Sequence, residues 1–206
     1  PVAERTLRNV KLTLGADFNP QRPVLGFVGA GNYASRVLIP AFKVAGAQFH
    51  TIVTSGGING VIHGEKAGFA DASSDVAAML DNQKINTVAI VTRHDTHARL
   101  VTQALKARKN VFVEKPLAIH HDELADVEAT YAEMHQAGQG SQLMVGFNRR
   151  FSPQVQKMKA LLLAVKEPKS FIMTMNAGTI PANHWVQDNT MGGGRIIGEA
   201  CHFVDL

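Results

Sequence analysis

The apolar run Val24-Leu25-Gly26-Phe27-Val28 stops directly at Gly29-Ala30-Gly31-Asn32-Tyr33-Ala34, and a helical pattern starts at once. This junction constrains the chain more than any other feature. Continuous apolar sequence of this length reads as a strand covered on both faces, which belongs in a parallel sheet. The glycines have the form G-x-G-x-x-A. Gly29 can take the backbone of a tight turn. Gly31 leaves no side chain where a pyrophosphate would lie, and Ala34 lets the helix pack close to the strand. The helix start offers free N–H groups and the positive end of a dipole to phosphates. Position after a strand and before a helix is the context that separates a dinucleotide fingerprint from an ordinary glycine turn. Gly29, Gly31, Asn32, Tyr33 and Ala34 are therefore expected to touch a dinucleotide.

The fingerprint lacks one part. An acidic residue that holds the ribose hydroxyls is expected about 20 residues further on, at the end of the second strand. The chain has Thr54-Ser55-Gly56-Gly57 there. Thr54 and Ser55 are expected to contact the cofactor, and the choice between NAD and NADP stays open. Arg36 or Arg93 could approach a 2′-phosphate in space.

The rest of the chain repeats the strand–helix rhythm. Strands are expected at Phe49 to Thr54, Val88 to Val91, Val111 to Val113 and Leu143 to Phe147. Helices are expected at Tyr33 to Ala45 with a kink at Pro40, Val61 to Ala67, Ser74 to Leu80, Thr96 to Arg108 and Asp122 to Gln136. Such alternation implies an α/β fold, a doubly wound parallel sheet. Residues 1–22 read as a linker or the tail of a preceding module, with Val10 to Leu14 as a short strand of that module. Residues 23–147 read as the dinucleotide-binding domain and 148–206 as part of a second, α/β domain. In that part a helix from Pro153 to about Val165 and a strand from Phe171 to Met175 are expected. The chain begins at Pro1 and stops at His202-Phe203-Val204-Asp205-Leu206 inside a helical pattern, as a piece of a longer protein would.

Composition removes several classes. Of 206 residues, 45% are hydrophobic and 18% charged, enough apolar sequence for a full core. The net charge of +4 comes without a basic stripe, so no nucleic-acid partner is expected. No apolar run approaches the ~18 residues of a membrane span. The one cysteine, Cys201, excludes an internal disulfide and a cysteine-based zinc site. His94 and His97 do not make a metal site without further ligands. A cytoplasmic location is the expectation.

Val111-Phe112-Val113 runs into Glu114-Lys115-Pro116. A lysine at the carboxyl end of a buried strand sits where ligands bind in an open parallel sheet. Thr92 to His97 joins the fourth strand to its helix, which brings Thr92 and His97 toward the same edge.

Gly-Phe-Val-Gly-Ala-Gly-Asn-Tyr-Ala, Thr-Arg-His-Asp-Thr-His-Ala-Arg-Leu, the Glu114-Lys115-Pro116 element, Val-Gly-Phe-Asn-Arg-Arg-Phe-Ser-Pro and the closing Gly-Gly-Gly-Arg-Ile-Ile-Gly-Glu-Ala-Cys-His-Phe-Val-Asp-Leu follow one another in order. Together they resemble the Gfo/Idh/MocA oxidoreductases, the group of glucose-fructose oxidoreductase and inositol dehydrogenase, over about Val24 to Leu206. The closing phrase also resembles a subgroup in which this module follows a zinc-type alcohol dehydrogenase module. The resemblance implies an N-terminal Rossmann domain that binds NAD or NADP, followed by an α/β substrate domain with an open sheet. It implies a small sugar-like substrate and hydride transfer between nicotinamide and a ring carbinol of a sugar, polyol or nucleotide sugar. A homo-oligomer built through the second-domain sheet is also implied.

In that family Lys115 corresponds to the lysine that orients the substrate hydroxyl, beside Glu114 at the cofactor, and His202 to the acid/base histidine. General chemistry agrees, because alcohol oxidation needs a base for the hydroxyl proton and a cation for the developing alkoxide. The family often has aspartate four residues before the histidine; here that residue is Gly198, and Glu199 is the candidate substitute. Asn148 and Arg150 lead into the second domain and are candidate substrate contacts, as is Trp185, whose ring could stack on a sugar face. The alternative function is a dinucleotide-binding regulatory or scaffold module without turnover.

Overall fold

Apolar strands of this kind need neighbours on both edges and cover on both faces, and a seven-stranded sheet supplies them. The computed structural model describes residues 8–176 and 178–206. Its strands are β1 (Asn9–Lys11), β2 (Val24–Val28), β3 (Gln48–Val53), β4 (Asp71–Ser73), β5 (Thr87–Ile90), β6 (Asn110–Val113) and β7 (Leu143–Val145). The order across the sheet is β1-β4-β3-β2-β5-β6-β7. All pairs are parallel except β1 with β4. The chain leaves β2 toward β3 on one side and later returns to β5 on the other. The order thus reverses between β2 and β5, and ligands bind at such a switch point, outside the carboxyl ends of the strands.

Helices cover both faces. A π-helical turn at Ala34–Leu38 leads into α1 (Ile39–Val44), and α2 is Ile58–Ala67. They cover a core of Leu25, Phe27, Phe49, Ile52 and Phe69. On the other face lie α3 (Val76–Asp81), α4 (His97–Lys106) and α5 (His121–Gln136), over Val88, Ile90, Val101, Leu105 and Val113. Phe27 and Phe69 are fully buried, edge to face, with ring centroids 6.2 Å apart. Each fully buried side chain of this size contributes roughly 1.5–3 kcal/mol of burial free energy. Lys109, after α4, is also buried; its ammonium donates to Asn82 O at 2.9 Å and Ile85 O at 2.8 Å.

Several sequence expectations change. The patch from Val10 to Leu14, expected in a preceding module, instead supplies β1, which pairs Asn9 with Ser73 and Lys11 with Asp71. β4 would otherwise be an edge with unpaired backbone groups, and β1 covers it. The short β4 was not expected at all. α2 starts three residues before the expected Val61, and α6 (Pro153–Leu162) stops before the expected Val165. Phe171 to Met175 forms no strand and makes no backbone hydrogen bond to another described segment, so nothing holds it extended. The second-domain sheet through which an oligomer was expected is thus absent among the described residues. A π-helical turn at Ile196–Ala200 runs into α7 (Cys201–Val204), the last helical segment.

Candidate active site

The carboxyl edge of the sheet is open between β2 and β5 because of the two fingerprint glycines. Gly29 has φ of +104°, and its amide donates to Val53 O at 2.9 Å. A Cβ on Gly29 would lie 2.2 Å from Val91 O, so any side chain would force the ends of β2 and β5 apart. Gly31 differs: a Cβ there would meet nothing within 4 Å. The space it leaves is the cleft itself. Two cavities meet at Gly31, Val91 and Thr92, one of about 570 Å³ and one of about 850 Å³.

The first cavity gathers most of the expected residues. Asn32, Tyr33 and Ala34 line it from the helix start, Thr92 and His97 from the β5–α4 connection, and Glu114 and Lys115 from the end of β6. Asn148, Trp185 and His202 close it from the later part of the chain. Asn148 Nδ2 donates to the Tyr33 hydroxyl at 2.7 Å, which ties the fingerprint helix to the segment after β7. Thr54 and Ser55 line the second cavity. Glu199 and Arg150 line neither.

Lys115 reaches its place because β6 ends at Val113 and the chain turns there, with Pro116 in the cis form. His97 fixes that turn from beneath. It is fully buried, and its ring nitrogens face Pro116 O at 2.7 Å and Thr92 O at 3.2 Å. Burial holds its imidazole below the ordinary range, so it carries one proton, which the shorter contact places on Nδ1. His97 is a strut of the wall through Nδ1–H, while Nε2, the acceptor nitrogen in this tautomer, faces Thr92 O without a hydrogen bond.

The Lys115 ammonium donates to Gly198 O at 2.5 Å and lies 3.8 Å from Glu199 Oε2. Arg149 Nη2 donates to the other carboxylate oxygen, Glu199 Oε1, at 2.6 Å, and its guanidinium carbon sits 4.8 Å from the Phe203 ring centre. Glu199 is thus held between a lysine and an arginine, behind the cavity wall. The sequence singled out Arg150, but Arg150 turns to Asp205. The short 3-10 turn Arg149–Phe151 decides which member of the arginine pair faces the cluster, and residue type alone does not carry that information.

Gly198 has a local cause. A Cβ there would lie 3.1 Å from Gly192 O and 3.3 Å from His94 Cε1. The segment from Trp185 to Gly194 fills the place where an aspartate side chain would go. His94, which the sequence weighed only lightly, pins that segment. Its Nδ1 lies 2.8 Å from Gly192 O and its ring meets Trp185 edge-on at 4.9 Å. Arg93 adds a contact to Met191 Sδ at 3.2 Å.

His202 is 6% exposed, and its Nδ1 is buried with no hydrogen-bond partner. Burial first, then the charges of Lys115 and Arg149, hold its imidazole below the ordinary range; Glu199 pulls the other way. It is therefore neutral at neutral pH and able to accept a proton. Glu114 is 9% exposed, and its Oε1 also lacks a partner. Burial pushes its carboxyl up to about 7, against the pull of Lys115. Thr54 Oγ1 is the third buried polar side-chain atom without a partner among the described residues. Buried polar groups are nearly always satisfied. All three of these residues line the two cavities. With Gly31 open between the cavities, the site fits a polar, elongated dinucleotide.

Comparison with known proteins agrees. Residues 24–147 match the Gfo/Idh/MocA profile, described as an oxidoreductase family with an NAD-binding Rossmann fold. Myo-inositol 2-dehydrogenase of Thermotoga maritima is 36% identical over 95 residues, 46% of this chain and 27% of that protein. Inositol 2-dehydrogenase 2 of Saccharopolyspora erythraea is 27% identical over 88% of this chain and 52% of that protein. Among solved structures, an oxidoreductase domain protein from Kribbella flavida superposes with a TM-score of 0.73 at 22% identity, covering 89% of this chain and 51% of that one. The chain thus spans about half the length of these longer matches, and the Thermotoga match covers about a quarter of that protein. With the parallel sheet, the glycine cleft and the profile in agreement, the chain belongs to the Gfo/Idh/MocA oxidoreductase family and carries its NAD-binding Rossmann fold.

Proposed function

We propose that the chain is the cofactor-binding part of an NAD(P)-dependent oxidoreductase that moves a hydride between nicotinamide and a ring carbinol of a sugar, polyol or nucleotide sugar. In this reading residues 23–147 hold the dinucleotide and 148–206 begin the substrate domain. One observation carries it: Lys115, a neutral His202 and the glycine cleft all line one cavity at the carboxyl edge of the sheet. Both relatives named above are inositol dehydrogenases, which supports a ring CH–OH substrate.

The larger cavity would take the adenosine end and the smaller one the nicotinamide end with the substrate. When bound, the nicotinamide supplies the hydride acceptor or donor. The residues of the chain manage the proton and the charge. An ammonium has three donors, and Gly198 O takes one from Lys115. The others are free for the substrate oxygen, whose developing negative charge they stabilise. His202 accepts the hydroxyl proton in oxidation and returns it in reduction. Glu199, fixed by Arg149, keeps the ammonium aimed. Trp185 and Asn148 line the same cavity, where the indole would stack on a ring substrate and the amide would bond its hydroxyls.

The test is Lys115→Met in the intact protein, with NADH and NADPH titrated by fluorescence and turnover followed on a panel of polyols and sugars. Turnover is expected to fall about 100-fold or more with dinucleotide affinity within a few-fold. Dinucleotide binding with no turnover on any ring alcohol, unchanged by Lys115→Met, would support the module without catalysis.

A further inference from the structure

We propose that the adenosine end of the cleft selects a 2′-phosphorylated dinucleotide, NADP(H) over NAD(H), through Ser55, Asn59 and Arg99. The inference rests on the dinucleotide reading above and concerns only which dinucleotide is taken.

β3 ends at Val53, at the carboxyl edge of the sheet. A carboxylate placed just after this strand bonds the ribose 2′-hydroxyl and repels a phosphate there. The chain instead places Thr54-Ser55-Gly56-Gly57 at that point. The helix that follows, α2, is ten residues long, has Gly57 at its cap with no side-chain cap bond, and has no acid in its first turn. Ile58 N–H donates to Gly56 O at 2.7 Å, and the next amides of the first turn, with no acceptor within the helix, carry a partial positive charge. Ser55 and Asn59 are both exposed and both line the larger cavity.

A dianion also needs a cation. Two arginines line the larger cavity, Arg93 and Arg99. Arg93 is engaged with Met191 Sδ and sits 6.0 Å from the Trp185 ring centre. Arg99, on α4, is exposed, and no described carboxylate lies within 4.0 Å of its guanidinium. The carboxylate that does line this cavity is Asp95, which follows β5. Asp95 and Arg99 both stand on the β5 side, two strands and about 10 Å from the end of β3, and the longer arginine side chain extends further toward β3 than the aspartate can. The end of β3 therefore presents a hydroxyl, an amide side chain and helix N–H groups, and the opposite wall presents a free guanidinium.

The experiment is a fluorescence titration of NADPH and NADH against the intact protein and its Ser55→Asp and Arg99→Ala variants. The wild type is expected to bind NADPH at least tenfold more tightly than NADH. Ser55→Asp is expected to reverse that order, and Arg99→Ala to weaken NADPH tenfold more than NADH. Equal or tighter binding of NADH by the wild type overturns the selectivity and leaves the dinucleotide reading standing. Equal weakening of both by Arg99→Ala removes Arg99 from the assignment. Binding of neither dinucleotide overturns the underlying reading itself.

Discussion

The Lys115 ammonium and the Glu199 carboxylate lie 3.8 Å apart, and Arg149 grips the same carboxylate from its far side at 2.6 Å. These three charges come from three separate segments: the end of β6, the turn after β7, and the π-helical turn before α7. Both ion pairs are partly solvated, so each adds at most about 1 kcal/mol to stability. Their consequence is positional. Arg149→Ala is expected to lower the melting temperature by no more than about 3 °C and to cut turnover about tenfold, with Arg149→Lys restoring part of it. A melting curve beside steady-state kinetics checks the split; loss of stability and rate in equal measure would make Arg149 merely structural.

The neutral state of His202 sets the pH dependence of oxidation. Its imidazole is held below the ordinary range by burial, Lys115 and Arg149. The acid limb of kcat/KM should therefore fall below pH ~6.5, the ordinary histidine value. Glu199 opposes that shift, so Glu199→Gln should move the limb to still lower pH. A kcat/KM profile across the acid range measures both displacements.

Glu114 makes a stability prediction of opposite sign. Its carboxyl is raised from 4.5 to about 7 in the folded chain. The folded state therefore holds this proton more tightly than the unfolded state does. The contribution is complete below the unfolded value and is lost as pH rises through about 7. Glu114→Gln should stabilise the protein at pH 8 by up to about 3 kcal/mol and change little at pH 4. Denaturant unfolding at the two pH values checks it. Equal effects at both would place the cause outside ionisation.

Much of the architecture was legible because it rests on local signals. Apolar runs, the glycine turn and helix periodicity located β2, β3, β5, β6 and β7. Lys115 and His202 were legible as members of motifs, and the structure brings both to one cavity. What escaped depends on partners distant in sequence. β4 is three residues long and exists because β3 and β1 flank it. Phe171 to Met175 has the composition of a strand but no neighbour among the described residues. Arg149 and Arg150 are the same residue type one position apart, and only the backbone turn distinguishes them. The role of His97 as a strut follows from the carbonyl of Pro116, 19 residues away.

Away from the cleft, Lys109 is a structural lysine. Its buried ammonium satisfies two carbonyls at the base of the sheet. Lys109→Met keeps the apolar stem and leaves both carbonyls without this donor. A loss of about 3 kcal/mol is expected, roughly 6–12 °C in melting temperature, with dinucleotide affinity unchanged. Thermal melting and a cofactor titration on the same sample separate the two.

Gly31 offers the most direct test of the central claim that a dinucleotide crosses the sheet edge where β2 meets its helix. Gly31→Ala puts a methyl group into open space, with no atom beyond its immediate chain neighbours within 4 Å of it. NADPH titration of Gly31→Ala beside its melting curve is the deciding measurement. An unchanged melting temperature and at least a tenfold loss of affinity are expected. Full affinity in a stable Gly31→Ala protein would mean that the pyrophosphate does not lie there, and would contradict the account.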